Sequence, residues 1–284
     1  MIKINDDKCN GCGLYVKICH ESCIELINGK IHINYSFCSI CTQCIAVCPN
    51  LALSWDKHEP IPFDNDKLPS ASQLDELFKQ RRTKRFFKEK KPERRLLEEI
   101  IRYAVHAPTH NFNFRVIVVD DDKMLKEIDT VVFQYNKKIY KWLYKPKIIS
   151  FLIRFFASSQ ESEYLRAKPK LEHSLAIGRA YLSMPPALIM IIGDKRTPLS
   201  VESAQYAIYN MDLYAMTKGL GCRNLIGNQM FLNRSKKLRE ILGLSKNEKI
   251  YATMGIEYPA IKFRNKVVGK TMDIQWNDDA ISKD

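Results

Sequence analysis

The chain has 284 residues, 45% of them apolar and 27% charged, which suffices for two unequal cores and excludes disordered, collagen-like and disulfide-scaffold classes. Its formal net charge is +13, yet residues 1–60 hold five basic and six acidic side chains, so the whole basic excess lies beyond them. No apolar run approaches the roughly 18 residues of a spanning helix, and the opening MIKINDDKCN carries no signal-peptide core, so the nine cysteines are expected to be reduced, in a cytoplasmic protein.

Eight of the nine cysteines fall between Cys9 and Cys48, and they form an internal repeat. Cys9-Asn-Gly-Cys12-x6-Cys19 superposes without a gap on Cys38-Ser-Ile-Cys41-x6-Cys48, each followed by a short apolar segment. The second copy reads Cys38-x2-Cys41-x2-Cys44-x3-Cys48-Pro49, in which three close thiolates hold one iron-sulfur cluster and the fourth reaches another. A zinc ribbon, the competing reading, needs only two CxxC pairs. Residues 1–56 therefore resemble the two-cluster bacterial ferredoxins. The resemblance implies a ferredoxin-like domain over residues 1–58, with a 4Fe-4S cluster on Cys19, Cys38, Cys41 and Cys44. A second cluster is implied on Cys9, Cys12 and Cys48. Its fourth ligand is missing, because Tyr15 stands at the repeat's third cysteine position, and His20 replaces the proline after Cys19. Cys23 is either a buried free thiol or the recruited ligand. The second cluster is accordingly 4Fe-4S or 3Fe-4S, with Tyr15, Cys23 or a nonprotein group at its fourth corner.

Three prolines and several turn formers between His58 and Ser70 mark a linker, placed over residues 59–73. With Ser72 as its cap, a helix is predicted through Leu74, Leu77 and Phe78 toward Arg81; another begins near Pro92-Glu93 with apolar positions at Leu96, Leu97, Ile100, Ile101 and Ala104. Short apolar runs at Val116–Val119, Ala187–Ile192 and Ile250–Ile256 read as buried strands. Residues 201–218 repeat apolar positions at helical spacing and stop at Gly219, a suitable C-terminal cap. Helices and strands mix without strict alternation, so the fold class is α+β.

Within this second region the basic run Arg81-Arg-Thr-Lys-Arg85 is followed by Ala107-Pro-Thr-His-Asn111 and a strand. Farther on come Ala207-Ile-Tyr-Asn-Met-Asp212, Leu225-Ile-Gly227, and Met254-Gly-Ile-Glu-Tyr-Pro259 with Lys262-Phe-Arg264. These motifs, in this order, resemble the FMN-dependent nitroreductase family over residues 74–270. The resemblance implies a domain over 74–284 with a mixed sheet flanked by helices, in an interlocked homodimer with FMN at its interface. Arg81, Arg82, Thr83 and Arg85, with Lys262 and Arg264, would hold the FMN phosphate and ribityl chain. Pro108, Thr109, Asn111 and Asn113 would approach the isoalloxazine, and backbone amides near Ile226 and Gly227 would face its N5 edge. The family usually shows Gln-Pro-Trp where this chain has Asn113-Phe114. His110 is a candidate proton donor beside the flavin, against the alternative of an ordinary surface histidine.

Residues 137–156 combine six basic residues with many aromatics and no acid, as either a lid or dimer-wrapping insertion or a peripheral membrane contact. No recognition motif accompanies the charge, so nucleic acid is not expected. No GxGxxG follows a predicted strand, which leaves a Rossmann-type nicotinamide site unsupported without excluding NAD(P)H. The combined reading is an oxidoreductase fed by a low-potential donor such as ferredoxin or flavodoxin. Its clusters would pass electrons to FMN for reduction of a small organic acceptor, a nitro compound, a quinone or similar. The alternative is a redox sensor or electron-transfer module without turnover of its own.

Overall fold

The computed structural model describes residues 1–109, 113–146, 148–149, 158–180 and 184–276. The cysteine-rich region folds in the order β1 (Ile2–Ile4), α1 (Leu14–Ile18), β2 (Ile24–Ile27), β3 (Lys30–Ile33), α2 (Gln43–Ala46), β4 (Leu53–Trp55). Strands β1 and β4 pair antiparallel, as do β2 and β3. The sequence repeat, offset by the interval from Cys9 to Cys38, is also a repeat of backbone shape. Gly11 and Ile40 have φ of 67° and 55°, Gly13 and Thr42 have 70° and 62°, and Ser22 and Leu51 have 51° and 52°. Left-handed backbone is disfavoured for β-branched Ile40 and Thr42, so the surrounding structure must impose it. Its small core contains Ile2, Tyr15, Cys23, Ile24, Cys44 and Leu53, with Cys9, Cys19, Cys38 and Cys48 packed against it.

Residues 59–70 carry only a short 3-10 turn at Asn65–Lys67, and Ile61, Phe63 and Leu68 are exposed. The linker is shorter than expected, because α3 (Ala71–Gln80) already begins at Ala71. Its cap is Ser70 rather than Ser72: the Gln73 amide donates to Ser70 Oγ while the Ser70 amide donates to Gln73 Oε1. Only Ser70 has a Gln three residues on, which is the spacing a reciprocal capping box requires.

After α4 (Arg94–Ile101) come β5 (Phe114–Val119) and α5 (Asp122–Ile139), which runs into a π turn over Tyr140–Tyr144. Then follow α6 (Ser158–Ile177), β6 (Ala187–Asp194), α7 (Ser200–Thr217), β7 (Gly221–Asn224), α8 (Ile226–Arg234), α9 (Lys236–Ile241) and β8 (Glu248–Glu257). The four strands form one sheet in the order β5-β6-β8-β7. Alternate residues of β6 serve two cores, the sheet signature of period two. Ile189 and Ile191 join Leu97, Ile100, Ala207 and Met211 on one face, whereas Leu188, Met190 and Ile192 join Ile128, Val132, Leu232 and Leu238 on the other.

The expected mixed sheet is antiparallel in every pairing among the described residues. A strand buried on both faces reads as one continuous apolar run, the pattern common in parallel sheets, and that pattern carries no information about direction. Residues 137–156 are described only in part. Where they are described, α5 ends in the π turn and Trp142 is 72% exposed.

Candidate functional site

The basic run Arg81–Arg85 is a strap laid along the end of the sheet where β7 starts and β8 finishes. Arg81 closes α3, and its extended backbone turns the chain out of the helix. The Lys84 amide donates to the Cys222 carbonyl at 3.1 Å and the Lys88 amide to the Tyr258 carbonyl at 2.9 Å. In return the Ala260 amide donates to the Phe86 carbonyl at 2.9 Å. Gly221 permits this crossing, because a Cβ there would collide with the Lys84 side chain. The residues after Ala260 are thereby brought against the strap, and Lys84 Nζ sits 3.9 Å from the Phe263 ring centroid.

Two sequence segments almost 180 residues apart, Arg81–Arg85 and Lys262–Arg264, thus meet at one end of the sheet. Arg81, Arg82 and Thr83 are half-buried, while Arg85, Lys262 and Arg264 are exposed. No ion pair with a carboxylate involves Arg82, Arg85, Lys262 or Arg264 among the described residues. Guanidinium forks left without an internal carboxylate suit an external phosphate, and Thr83 adds a hydroxyl donor. Arg81 differs, because its Nη1 lies 3.5 Å from Oδ2 of buried Asp212.

Beneath the strap is a buried acidic group that the sequence reading missed. Asp212 projects from α7; burial raises its pKa, opposed by Arg81 and a hydrogen bond with Cys222. Burial likewise pushes the Cys222 thiol well up, reinforced by Asp212. At the end of β8, paired with Gly221, Glu257 is fully buried and neither carboxyl oxygen has a hydrogen-bond partner. Burial pushes its pKa up to about 7, against the opposing influence of Arg223. One signal was legible for Asp212: it lies four residues after Ile208 and three before Ala215, on the buried stripe of α7.

The other expected flavin residues lie elsewhere. Ile226 and Gly227 open α8, whose N-cap Leu225 supplies no side-chain acceptor. Pro108 and Thr109 follow the 3-10 turn Arg102–His106, whereas His110 and Asn111 lie outside the described residues. Asn113 immediately precedes β5. Its neighbour Phe114 pairs with Gly193, which pairs with Lys249, eight residues along β8 from Glu257. At ~3.3 Å per residue that is about 26 Å from the strap, so one chain does not bring Asn113 and the phosphate-binding candidates together.

In the N-terminal unit, Cys19, Cys23, Cys38, Cys41 and Cys44 line one open pocket. Among the described residues, no group of three or more His, Cys, Asp or Glu side chains is arranged to hold a metal ion. Burial pushes the Cys23 thiol up to about 12 and Cys44 to about 11. Ligation would release those protons. The Ala52 amide donates to Cys48 Sγ at 3.2 Å, a contact of the kind that tunes a metal-bound sulfur.

The family model described as the nitroreductase family matches residues 78–256. Several solved structures share the fold. A nitroreductase with bound FMN from Bacteroides fragilis NCTC 9343 is 16% identical, with 72% of this chain and 99% of that chain covered and a TM-score of 0.51. A nitroreductase with bound FMN from Desulfitobacterium hafniense DCB-2 is also 16% identical, covering 70% and 97%, with a TM-score of 0.50. A BluB-like flavoprotein from Clostridium difficile 630 is 15% identical, covering 71% and 99%, with a TM-score of 0.50. A comparison with curated proteins finds no match.

Proposed function

The chain belongs to the nitroreductase family, and on that premise we propose that it is an FMN-dependent oxidoreductase whose N-terminal unit delivers electrons from two iron-sulfur clusters to a small organic acceptor. The observation that carries the flavin part is the meeting of Arg81–Arg85 with Lys262–Arg264 through the Lys84–Phe263 contact. When bound, the clusters supply single electrons and FMN pairs them for a two-electron reduction, with a nitro compound or quinone as the class of acceptor.

The chain's own residues divide the work. Arg82, Arg85, Lys262 and Arg264 hold the phosphate by charge-assisted hydrogen bonds, with Thr83 as a neutral donor. Arg81 braces the strap against Asp212 and presents its remaining donors to the same anion. Backbone amides of α8 near Ile226 and Gly227 would stabilise negative charge on the ring. Pro108, Thr109 and Asn113 would wall the ring, and the roughly 26 Å between Asn113 and the strap within one chain supports a second copy as the source of Asn113. A twofold homodimer then builds two equivalent flavin sites. For the N-terminal unit, the matched left-handed positions of the two cysteine runs support the two-cluster reading, as do the thiols gathered around one open pocket.

The test of the phosphate site uses the double variant Arg85→Ala/Arg264→Ala. Two lost charge-assisted contacts at roughly 1.5–3 kcal/mol each should weaken FMN binding by two orders of magnitude or more. The yellow colour should then leave the protein on gel filtration. Full flavin occupancy in the double variant would refute the assignment.

A further inference from the structure

The C-terminal end of α5 carries chemistry that the flavin site does not use. Residues 137–145 hold four lysines, a tryptophan and two tyrosines, and no acid. We propose that this end of the fold is a peripheral docking surface for an anionic lipid bilayer, with Trp142 seated among the headgroups and Lys138, Lys141 and Lys145 on their phosphates.

The arm is braced from within. The Lys145 amide closes the π turn by donating to the Tyr140 carbonyl at 3.0 Å. Tyr140 stacks on Tyr144 with ring centroids 6.3 Å apart, and Tyr144 stacks on Tyr164 of α6 at 4.5 Å. The Tyr164 hydroxyl donates to the Leu143 carbonyl at 3.1 Å, and the Tyr140 hydroxyl donates to Glu172 Oε1, also at 3.1 Å. The three tyrosines are half-buried and form the inner side of the arm. Trp142 stands outside this stack and is 72% exposed. Leu143 and Leu165, the chain neighbours of Tyr144 and Tyr164, are exposed as well. A tryptophan on a braced support loses little freedom on binding, and its amphipathic ring suits the boundary between headgroups and acyl chains.

Charge selects the occupant. Lys137, Lys138, Lys141 and Lys145 are all exposed, and among the described residues none of them forms an ion pair with a carboxylate. The whole basic excess of the chain lies beyond residue 60, so a second flavin domain would meet these lysines with charge of the same sign. Nucleic acid offers phosphates but no aliphatic layer for Leu143 and Leu165. An anionic bilayer offers both, with phosphates at its surface for the ammonium groups and an apolar layer beneath them.

The experiment mixes the full holoprotein with vesicles of phosphatidylcholine, alone or with added phosphatidylglycerol. It reads co-sedimentation and the quenching of tryptophan fluorescence by brominated lipid. Wild-type protein should sediment and be quenched with the anionic vesicles only, and raised salt should weaken the binding. Trp142→Ala should lose the quenching although Trp55 and Trp276 remain. Lys138→Glu/Lys141→Glu/Lys145→Glu should weaken vesicle binding by roughly a hundredfold or more, since each lysine near an anionic surface is worth about fivefold. Flavin content should be the same in every variant. Should the triple variant fold poorly, the salt dependence of the wild-type protein tests the same charge contribution. The proposal is overturned by equal binding to neutral vesicles, by binding that salt leaves unchanged, or by quenching that survives Trp142→Ala. Loss of flavin in Trp142→Ala also overturns it, by making the arm a lid on the flavin site. Without vesicle binding the proposal fails outright, and a dimer that depends on Trp142, or capture of single-stranded DNA, would then name the other partner.

Discussion

Glu257 illustrates how far a single side chain can depart from its ordinary chemistry when the sheet encloses it. With no exposure and no hydrogen bond to either oxygen, it keeps its proton up to a pKa of about 7, whereas a free glutamate releases it near ~4.3. Because the folded value is the higher one, its contribution to stability is fully present below pH ~4.3 and is lost as pH rises through about 7. The loss is on the order of 3 kcal/mol. Glu257→Gln should flatten that slope, which thermal unfolding of both proteins between pH 5 and 8 measures; parallel curves would remove Glu257 as the cause. Asp212 sets up the opposite test, since its partner Arg81 is only partly shielded. Arg81→Ala leaves a buried carboxyl uncompensated and should cost about 2 kcal/mol, and Arg81→Ala/Asp212→Asn should recover most of it. Asp212 was legible only through its place on the buried stripe of α7, and Glu257 not at all in a scan for basic and cysteine motifs, because its burial is what makes it unusual.

Among the elements, those with strong periodicity were legible and those set by long-range pairing were not. The 201–218 repeat became α7, and the apolar runs at 187–192 and 250–256 became β6 and β8 with both faces buried. Strand direction, the β2–β3 hairpin and the docking of the strap on Cys222 and Tyr258 depend on contacts that no local window contains. The start of α3 was misplaced by two residues because Ser70 and Ser72 are equally good caps until Gln73 is counted. Gly221 is the element-scale test. Its missing Cβ is what lets the strap cross β7, so Gly221→Ala should push Lys84 and its neighbours outward and weaken FMN retention. The sheet core should keep its far-ultraviolet circular dichroism, since β7 is an edge strand. Unchanged flavin affinity would separate the strap from the phosphate site.

At the scale of the whole molecule, the separation of Asn113 from the strap is the feature with the widest consequence. The motifs that resemble one flavin site lie in order along one sequence, and nothing in that order shows that they come from opposite ends of the same sheet. If the site is built from two copies, two differently damaged chains should repair each other. One variant carries Arg85→Ala/Arg264→Ala and the other Pro108→Gly/Asn113→Ala; each homodimer then has two defective sites. Unfolded together and refolded, half of the dimers should be mixed, and each mixed dimer should hold one site with all the damage and one with none. About a quarter of all sites should therefore regain FMN and its absorbance. Should each chain instead build its site alone, every site in every dimer keeps at least one defect, and co-refolding restores no flavin. The readout is the flavin-to-protein ratio after gel filtration, compared with the two variants refolded separately and then mixed. A ratio no higher than in that control would return both halves of the site to one chain and would require Asn113 to be dropped from it.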